Sequence, residues 1–410
     1  MFNVFLKFSE CDWLAIIAII YLAYFGLHVV VMSFMNADIN YKVLAVHLFF
    51  FAVAMGLIAF HMTYSDRGPD LERHWREWHI VNGDSGEGIK VARISAIAAN
   101  GLFLWDGFLL LSTYLGDVHF LAGLVVFFTY IFFAKNCVLV CRHYNSSYRE
   151  FALYLVLQFG LVSMYHTFAG LRNVFAFSAS GYALLLDCWH TKKSDYVKIL
   201  FALLCAIFIH SAGYFCVLFF ILHHLAKEKF FKKILYIGLC LWGYFSFIFI
   251  HLLKLLPFSI FSYIGNKAVY YYGLNTISSM PIWQFFSILI FFIILGIHVY
   301  YVSFPQKIFY NEIYKGKASY FDYMLLMESF VLGSLLIPEI ILRIMYLFGF
   351  MIYPFVLETD LKKNSRKYYF YILIEVALCA LMGFYGFWGI KSHMHLESID
   401  YSFFNKWSLF

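Results

Sequence analysis

Apolar runs of about 20 residues, the length an α-helix needs to cross a bilayer, recur along this 410-residue chain. They fall near residues 13–35, 43–63, 118–134, 151–168, 173–190, 234–256, 282–303, 320–342 and 369–390. With 63% of residues hydrophobic and 13% charged, a soluble domain has no interior able to hide them all. In lipid each backbone N–H and C=O must be satisfied within its own segment, so such runs fold as helices. The sequence predicts an all-α, polytopic integral membrane protein, a single membrane domain over 1–410.

Three regions fit this pattern less simply. Residues 196–225 are long for one span and short for two, and His210-Ser211 marks a turn between tight helices. Residues 344–357 read as a short span bounded by Arg343 and Glu358. Residues 93–116 carry Asn100 and Asp106 within apolar sequence, as in a segment lying on or dipping into one face. With that segment not crossing, the count is about twelve spans. The first run, Trp13 to Met35, is long enough to span and stay, so no cleavable leader is expected.

Lysines set the orientation. Lys135, Arg142 and Arg149 share one loop, and Lys192, Lys193 and Lys198 the next. Lys227, Lys229, Lys232 and Lys233 follow, then Lys307, Lys315 and Lys317, then Lys362, Lys363, Arg366 and Lys367. All fall on one side, which the positive-inside rule makes cytoplasmic. Polar loops 64–92 and 257–281 then face outward. The net charge of +6 comes from these flanking lysines and is no nucleic-acid signal. The eight Cys are scattered, mostly within spans, without metal-ligand spacing and read as small apolar residues.

Arginine runs against this bias. Arg67, Arg73, Arg76, Arg93, Arg172 and Arg343 map to the outer side. The planar guanidinium grips phosphate or carboxylate bidentately, so an anionic group presented at that surface is expected, and a lipid-linked diphosphate fits. Arg172 stands between two apolar runs, where charge is costly and usually functional. The loop YSDRGPDLERHWREWHIVNGDSGEGIK combines Asp66, Asp70, Glu72 and Glu77 with Arg67, Arg73, His74, Trp75 and Trp78. Such a set can supply an anion clamp, a general base and stacking faces for sugars, or form a salt-bridged interfacial helix. Arg343 follows Glu339 by four residues, so it reads equally as a clamp or as one half of a helical ion pair. His166 and His210 sit at outer ends of runs, and Ser211 and Gly213 mark a broken helix beside His210. The remaining intramembrane polar groups, among them Asp106, Asp187, His298, Glu328 and Glu375, follow no repeat, which speaks against transport.

Four segments, in order, resemble the EpsG-like branch of the Wzy-type polysaccharide polymerases. Asp66-Arg67-Gly68-Pro69-Asp70 looks like that family's Arg-rich Gly-x-Asp element, and Leu171-Arg172-Asn173 is similar to its Leu-Arg-Gln element. Phe208-Ile209-His210-Ser211-Ala212 resembles its Phe-x-His-x-Ser/Ala segment, and Leu342-Arg343-Ile344-Met345-Tyr346 its late Arg-x-x-Tyr element. Asn173 stands where Gln is usual, Pro69 precedes Asp70, and Trp75 is the nearest candidate for the family's aromatic residue. The resemblance implies a glycosyltransferase C-like helical fold in a bacterial cytoplasmic (inner) membrane. Its active site would face the periplasm or outside, joining undecaprenyl-diphosphate-linked oligosaccharides. No cofactor, metal or nucleic acid is expected; membrane lipid is, and a chain-length regulator protein is a possible partner.

On that reading Arg172, then Arg343, then Arg67 or Arg73 would clamp the departing diphosphate, with His166, Trp75 and Tyr346 also toward the substrate. Asp70 would take the acceptor proton, with His210 the alternative, because an Asp among several Arg is a weak base. A ligase transferring finished glycan would use the same clamp. A flippase or other transporter would string charges through the membrane rather than gather them at one face.

Overall fold

The computed structural model describes residues 13–64, 74–75, 77–78, 101–189, 192–226, 229–254, 282–303, 320–335, 337–353 and 365–396. Apart from two three-residue strands, these form helices. They are α1 (Trp13–Phe34), α2 (Tyr41–Phe60), α3 (Phe103–Leu115), α4 (His119–Tyr144), α5 (Tyr148–Leu161), α6 (Met164–Ala169) and α7 (Leu171–Trp189). Then come α8 (Lys193–Ile209), α9 (Gly213–Leu225), α10 (Lys229–Lys254) and α11 (Ile282–Ile297), which runs into a π-helical turn (His298–Ser303). Last are α12 (Tyr320–Gly333), α13 (Pro338–Met351) and α14 (Ser365–His393). Strand β1 (Met62–Tyr64) pairs antiparallel with β2 (Met394–Leu396), Met62 opposite Leu396.

Among the described residues, three helices, α1, α2 and α4, are long and apolar enough to cross a membrane, as befits an all-α membrane protein. On α1, Trp13, Ile17, Ile20, Tyr24, Leu27, Val31 and Phe34 are all exposed. Their spacing of three and four residues places them along one apolar face that only lipid would cover.

Local chemistry sets the helix ends. The Asn40 side chain accepts from the backbone N–H groups of Lys42 and Val43, opening α2. Ser147 and Glu150 form a reciprocal capping box at the start of α5. Asn145 closes α4 and Gly116 closes α3, both in the left-handed conformation that suits a helix end.

The turn expected at His210-Ser211 is present: α8 ends at Ile209 and α9 begins at Gly213. Two expected single runs prove to be broken. The 151–168 run is split at Val162-Ser163, where Ser163 accepts from the His166 N–H and starts the separate α6. The 320–342 run ends at Gly333 and resumes at Pro338, and proline at a first helical position has no N–H to lose. The 93–116 segment contains α3, whose 13 residues extend about 20 Å, short of the roughly 30 Å hydrocarbon core.

The chain divides into two compact units: Met1–Cys216, Gly349–Pro354 and Cys379–Phe410 in the first, Val217–Phe348 and Phe355–Leu378 in the second. In the first, α2 and α4 cross closely through glycines. A Cβ on Gly56 would lie 3.0 Å from the Gly123 carbonyl oxygen, and one on Gly123 would lie 3.2 Å from that of Gly56. Small residues let helices approach where dispersion, not water exclusion, drives packing.

The first unit also has a direction. The C-terminal parts of α4 and α7, the N-terminal part of α2 and the start of α8 line one cavity. Phe60, His119, Arg172 and Ile209 therefore belong to the opposite end. Between His119 and Arg142 the rise of α4 amounts to about 35 Å, close to a bilayer's hydrocarbon thickness. In the second unit, α10 packs on α12, and Lys232 Nζ lies 2.6 Å from Asp322 Oδ2.

Candidate functional site

At the end of the first unit away from the lysines, aromatic and titratable side chains converge from five segments. The Arg172 guanidinium, on the first turn of α7, lies over the Trp105 ring of α3 at 5.0 Å. Trp105 is buried and also packs against His74, with ring centres 4.4 Å apart. His74 Nδ1 is 3.0 Å from Glu77 Oε2, a helical i, i+3 pair within the polar 64–92 loop. The neighbouring Trp75 meets His119 edge-on, at 5.1 Å and 69°. His119, which opens α4, also packs on Phe60 at the end of α2.

His119 is oriented by the turn that precedes it. Asp117 Oδ1 accepts from the His119 backbone N–H at 2.8 Å and lies 2.7 Å from Nδ1. Burial opposes the charged form of Asp117, yet the side-chain and backbone hydrogen bonds from His119 outweigh it and hold the carboxyl below its ordinary value. An ionised carboxylate can only accept, so Nδ1 carries a proton, and in the neutral imidazole the lone pair is then on Nε2. Nε2 is buried and has no hydrogen-bond partner among the described residues; the same is true of the Trp75 indole N–H and the Asn173 side-chain oxygen.

His210 presents the reverse arrangement. It caps α8 in an extended conformation, and its Nδ1 accepts from the Ala212 N–H at 2.9 Å. When neutral it carries its proton on Nε2 and offers a donor rather than a base. His166, in α6, has Nδ1 3.0 Å from Ser163 Oγ, the side chain that caps its own helix.

Of the expected site residues, Arg172 and Trp75 are brought into this one cluster. Asp70, Arg67 and Arg73 lie outside the described residues. Arg343 and Tyr346 lie on α13 in the second unit, both half-buried. There Arg343 donates to Glu339 at 3.2 Å, the helical pair that its spacing allowed.

Trp105, Asp117 and His119 were not singled out in the sequence. Their signal is the polar turn Gly116-Asp117-Val118-His119 set directly against an apolar run, with Trp105-Asp106 inside another. In the second unit, a fully buried chain links Glu375 Oε1, His298 Nδ1 and, through Nε2, the Tyr320 hydroxyl, at 2.8 and 2.7 Å. His298 opens the π-helical turn, a local widening that often accompanies a functional or strained position.

The Arg172 cluster combines a cation able to face an anion, a buried indole that backs it, a second, half-buried indole suited to a sugar ring, and an imidazole held by a carboxylate. Among the described residues, no three His, Cys, Asp or Glu side chains converge as metal ligands. Comparisons with protein families, curated proteins and solved structures return no match for this chain.

Proposed function

We propose that this chain is a membrane glycosyltransferase of the polysaccharide polymerase class. On this reading it joins undecaprenyl-diphosphate-linked oligosaccharides at the outer face of a bacterial cytoplasmic membrane, on a glycosyltransferase C-like helical scaffold of about twelve spans. The observation that carries the proposal is Arg172 lying over Trp105, which packs at a tilt on His74, beside the Trp75–His119–Asp117 group. It unites at one end of a helix bundle the chemical types that lipid-diphosphate glycosyl transfer requires.

In the reaction, an acceptor hydroxyl attacks the anomeric carbon of the donor. The new C–O bond forms as the bond to the diphosphate breaks, the electron pair leaves with the diphosphate, and the hydroxyl proton passes to a base. Arg172 would face the negative charge growing on the leaving group, where a positioned cation in a low-dielectric cleft has most effect. Trp105 would hold the guanidinium in place, and Trp75 would offer its ring to a sugar. Asp70 and His119 are the candidate bases. The contact of Nδ1 with Asp117, which leaves Nε2 as the basic nitrogen of the neutral ring, supports His119 in preference to His210, whose Nδ1 already accepts from Ala212.

The test is the glycan ladder of cells carrying Arg172→Ala, with membrane abundance of the variant measured in parallel. Collapse to a single repeat unit at normal abundance is the expected result. Long glycan that persists but is no longer attached to its final acceptor would transfer the site to a ligase. An unchanged ladder would remove Arg172 from the chemistry.

A further inference from the structure

The cavity at the lysine end of the first unit has no part in the reaction proposed above. It has a volume of about 790 Å3 and is open to its surroundings. One wall is apolar, made by Ala45 and Phe49 of α2 with Val138 and Leu139 of α4. The rest of the lining brings together Lys135, Arg142, Lys192 and Lys198 against one carboxylate, Asp195.

That carboxylate is already engaged. Lys198 Nζ lies 2.7 Å from Asp195 Oδ1, and the Lys192 backbone N–H donates to Oδ2 at 3.2 Å. Among the described residues, Lys135, Arg142 and Lys192 have no carboxylate partner, so the cavity gathers cations that repel one another. Aromatic rings hold part of this set in place. Lys135 Nζ lies 5.4 Å from the Phe132 ring centre and 5.6 Å from that of Tyr182, and Trp189 stacks on His143 at 4.6 Å. Such a concave site is completed by an anion.

Depth and the apolar wall indicate which anion. About 35 Å of helical rise along α4 separates Arg142 from His119. With His119 at one membrane surface, this puts Arg142 at the headgroup level of the other. A free phosphate would use the cations but leave the α2–α4 wall uncovered, whereas an amphiphile uses both. Basic pockets between membrane helices are a recognised way of binding lipid headgroups. We propose that this cavity binds the phosphate of an anionic membrane lipid, with the first part of an acyl chain against Ala45, Phe49, Val138 and Leu139.

The experiment uses the purified full chain in phosphatidylcholine micelles, titrated with phosphatidylglycerol and, separately, with inorganic pyrophosphate. Bound lipid is counted by native mass spectrometry. Retention of phosphatidylglycerol over phosphatidylcholine is expected. Arg142→Gln and Lys192→Gln should each weaken it about fivefold, a surface charge near lipid being worth about that factor. Lys198→Gln should weaken it less, because Asp195 already neutralises that lysine. Arg142→Lys, which keeps the charge, controls for folding and should bind nearly as the parent does. Equal retention of the two lipids would overturn the proposal, as would unchanged affinity in both Gln variants. Pyrophosphate binding as tightly as phosphatidylglycerol would overturn the lipid assignment and leave a soluble phosphate site.

Discussion

The guanidinium of Arg172 and the indole of Trp105 stack at 5.0 Å, joining the first turn of α7 to α3 across 67 residues of sequence. A cation over an indole face is worth about 1–2 kcal/mol when partly desolvated, and the ring also fixes where the flat guanidinium points. Trp105→Ala should therefore shorten or abolish the glycan ladder at normal membrane abundance, with chain extension slowed about 5- to 30-fold. Trp105→Phe keeps a face and should lose less. Equal ladders for the Ala variant and the parent would show that the stack plays no part in the reaction.

Asp117 ties stability to pH. Its carboxyl titrates lower in the folded protein than in the unfolded chain, because the His119 hydrogen bonds outweigh the cost of burial. The stabilisation is complete above the unfolded value, near 4, and is lost as pH falls through the lower folded value. Thermal melting in detergent should thus fall more steeply for the parent than for Asp117→Asn as pH drops from about 5 toward 3. Above that window Asp117→Asn should melt lower than the parent. It should also impair the glycan ladder, because an amide can accept from a protonated Nδ1 or donate to a bare one and so no longer fixes the His119 tautomer.

The His298–Glu375 pair makes the opposite demand, that neither partner be removed alone. Both side chains are fully buried, 2.8 Å apart, and Glu375 Oε2 has no hydrogen-bond partner among the described residues. His298→Ala would leave the Glu375 carboxyl without its buried hydrogen-bond partner, which typically costs about 1–3 kcal/mol. Exchanging both for apolar residues, His298→Leu with Glu375→Leu, should restore most of the loss. Melting curves for the two single variants and the double variant decide this. A double variant as damaged as the sum of the singles would show that the pair is not coupled. Tyr320→Phe removes only the outer hydrogen bond and should cost about 1 kcal/mol.

Helices were legible wherever a run is uniformly apolar and its end carries an unmistakable signal. Trp13–Phe34 falls within a residue of the 13–35 run, and the break at His210-Ser211 stands where these polar residues interrupt apolar sequence. Breaks inside continuous runs were not. Val162-Ser163 and the break between Gly333 and Pro338 lie between residues apolar enough for one span, and only a capping serine and Pro338 mark them.

Partners were harder still. A membrane helix is apolar on most faces, so hydrophobic periodicity cannot say which face meets which neighbour. The contacts of Trp105 with Arg172 and of His298 with Glu375 bridge long stretches of chain with no local signature. The arginines stood out because charge is rare in such sequence. The aromatic residue beneath Arg172 did not, because Trp there is ordinary.

Glycine contact, by contrast, offers a sharp test of the second unit. Where α10 crosses α12, a Cβ on Gly333 would collide with the Leu239 carbonyl oxygen, and one on Gly243 with the Gly333 carbonyl oxygen. Both obstacles are backbone, which cannot rotate away, and Trp242 seals the crossing by stacking on Phe330 at 4.9 Å and donating to its carbonyl at 3.2 Å. Gly333→Ala and Gly243→Ala should each force the helices apart at a cost of about 1–3 kcal/mol. Gly238, on the same α10, has nothing within 4 Å of its would-be Cβ, so Gly238→Ala should gain up to about 1 kcal/mol from helix propensity. The expected order of melting temperature is Gly238→Ala above the parent, and the two crossing variants below it. If all three moved together, propensity rather than close contact would govern this crossing.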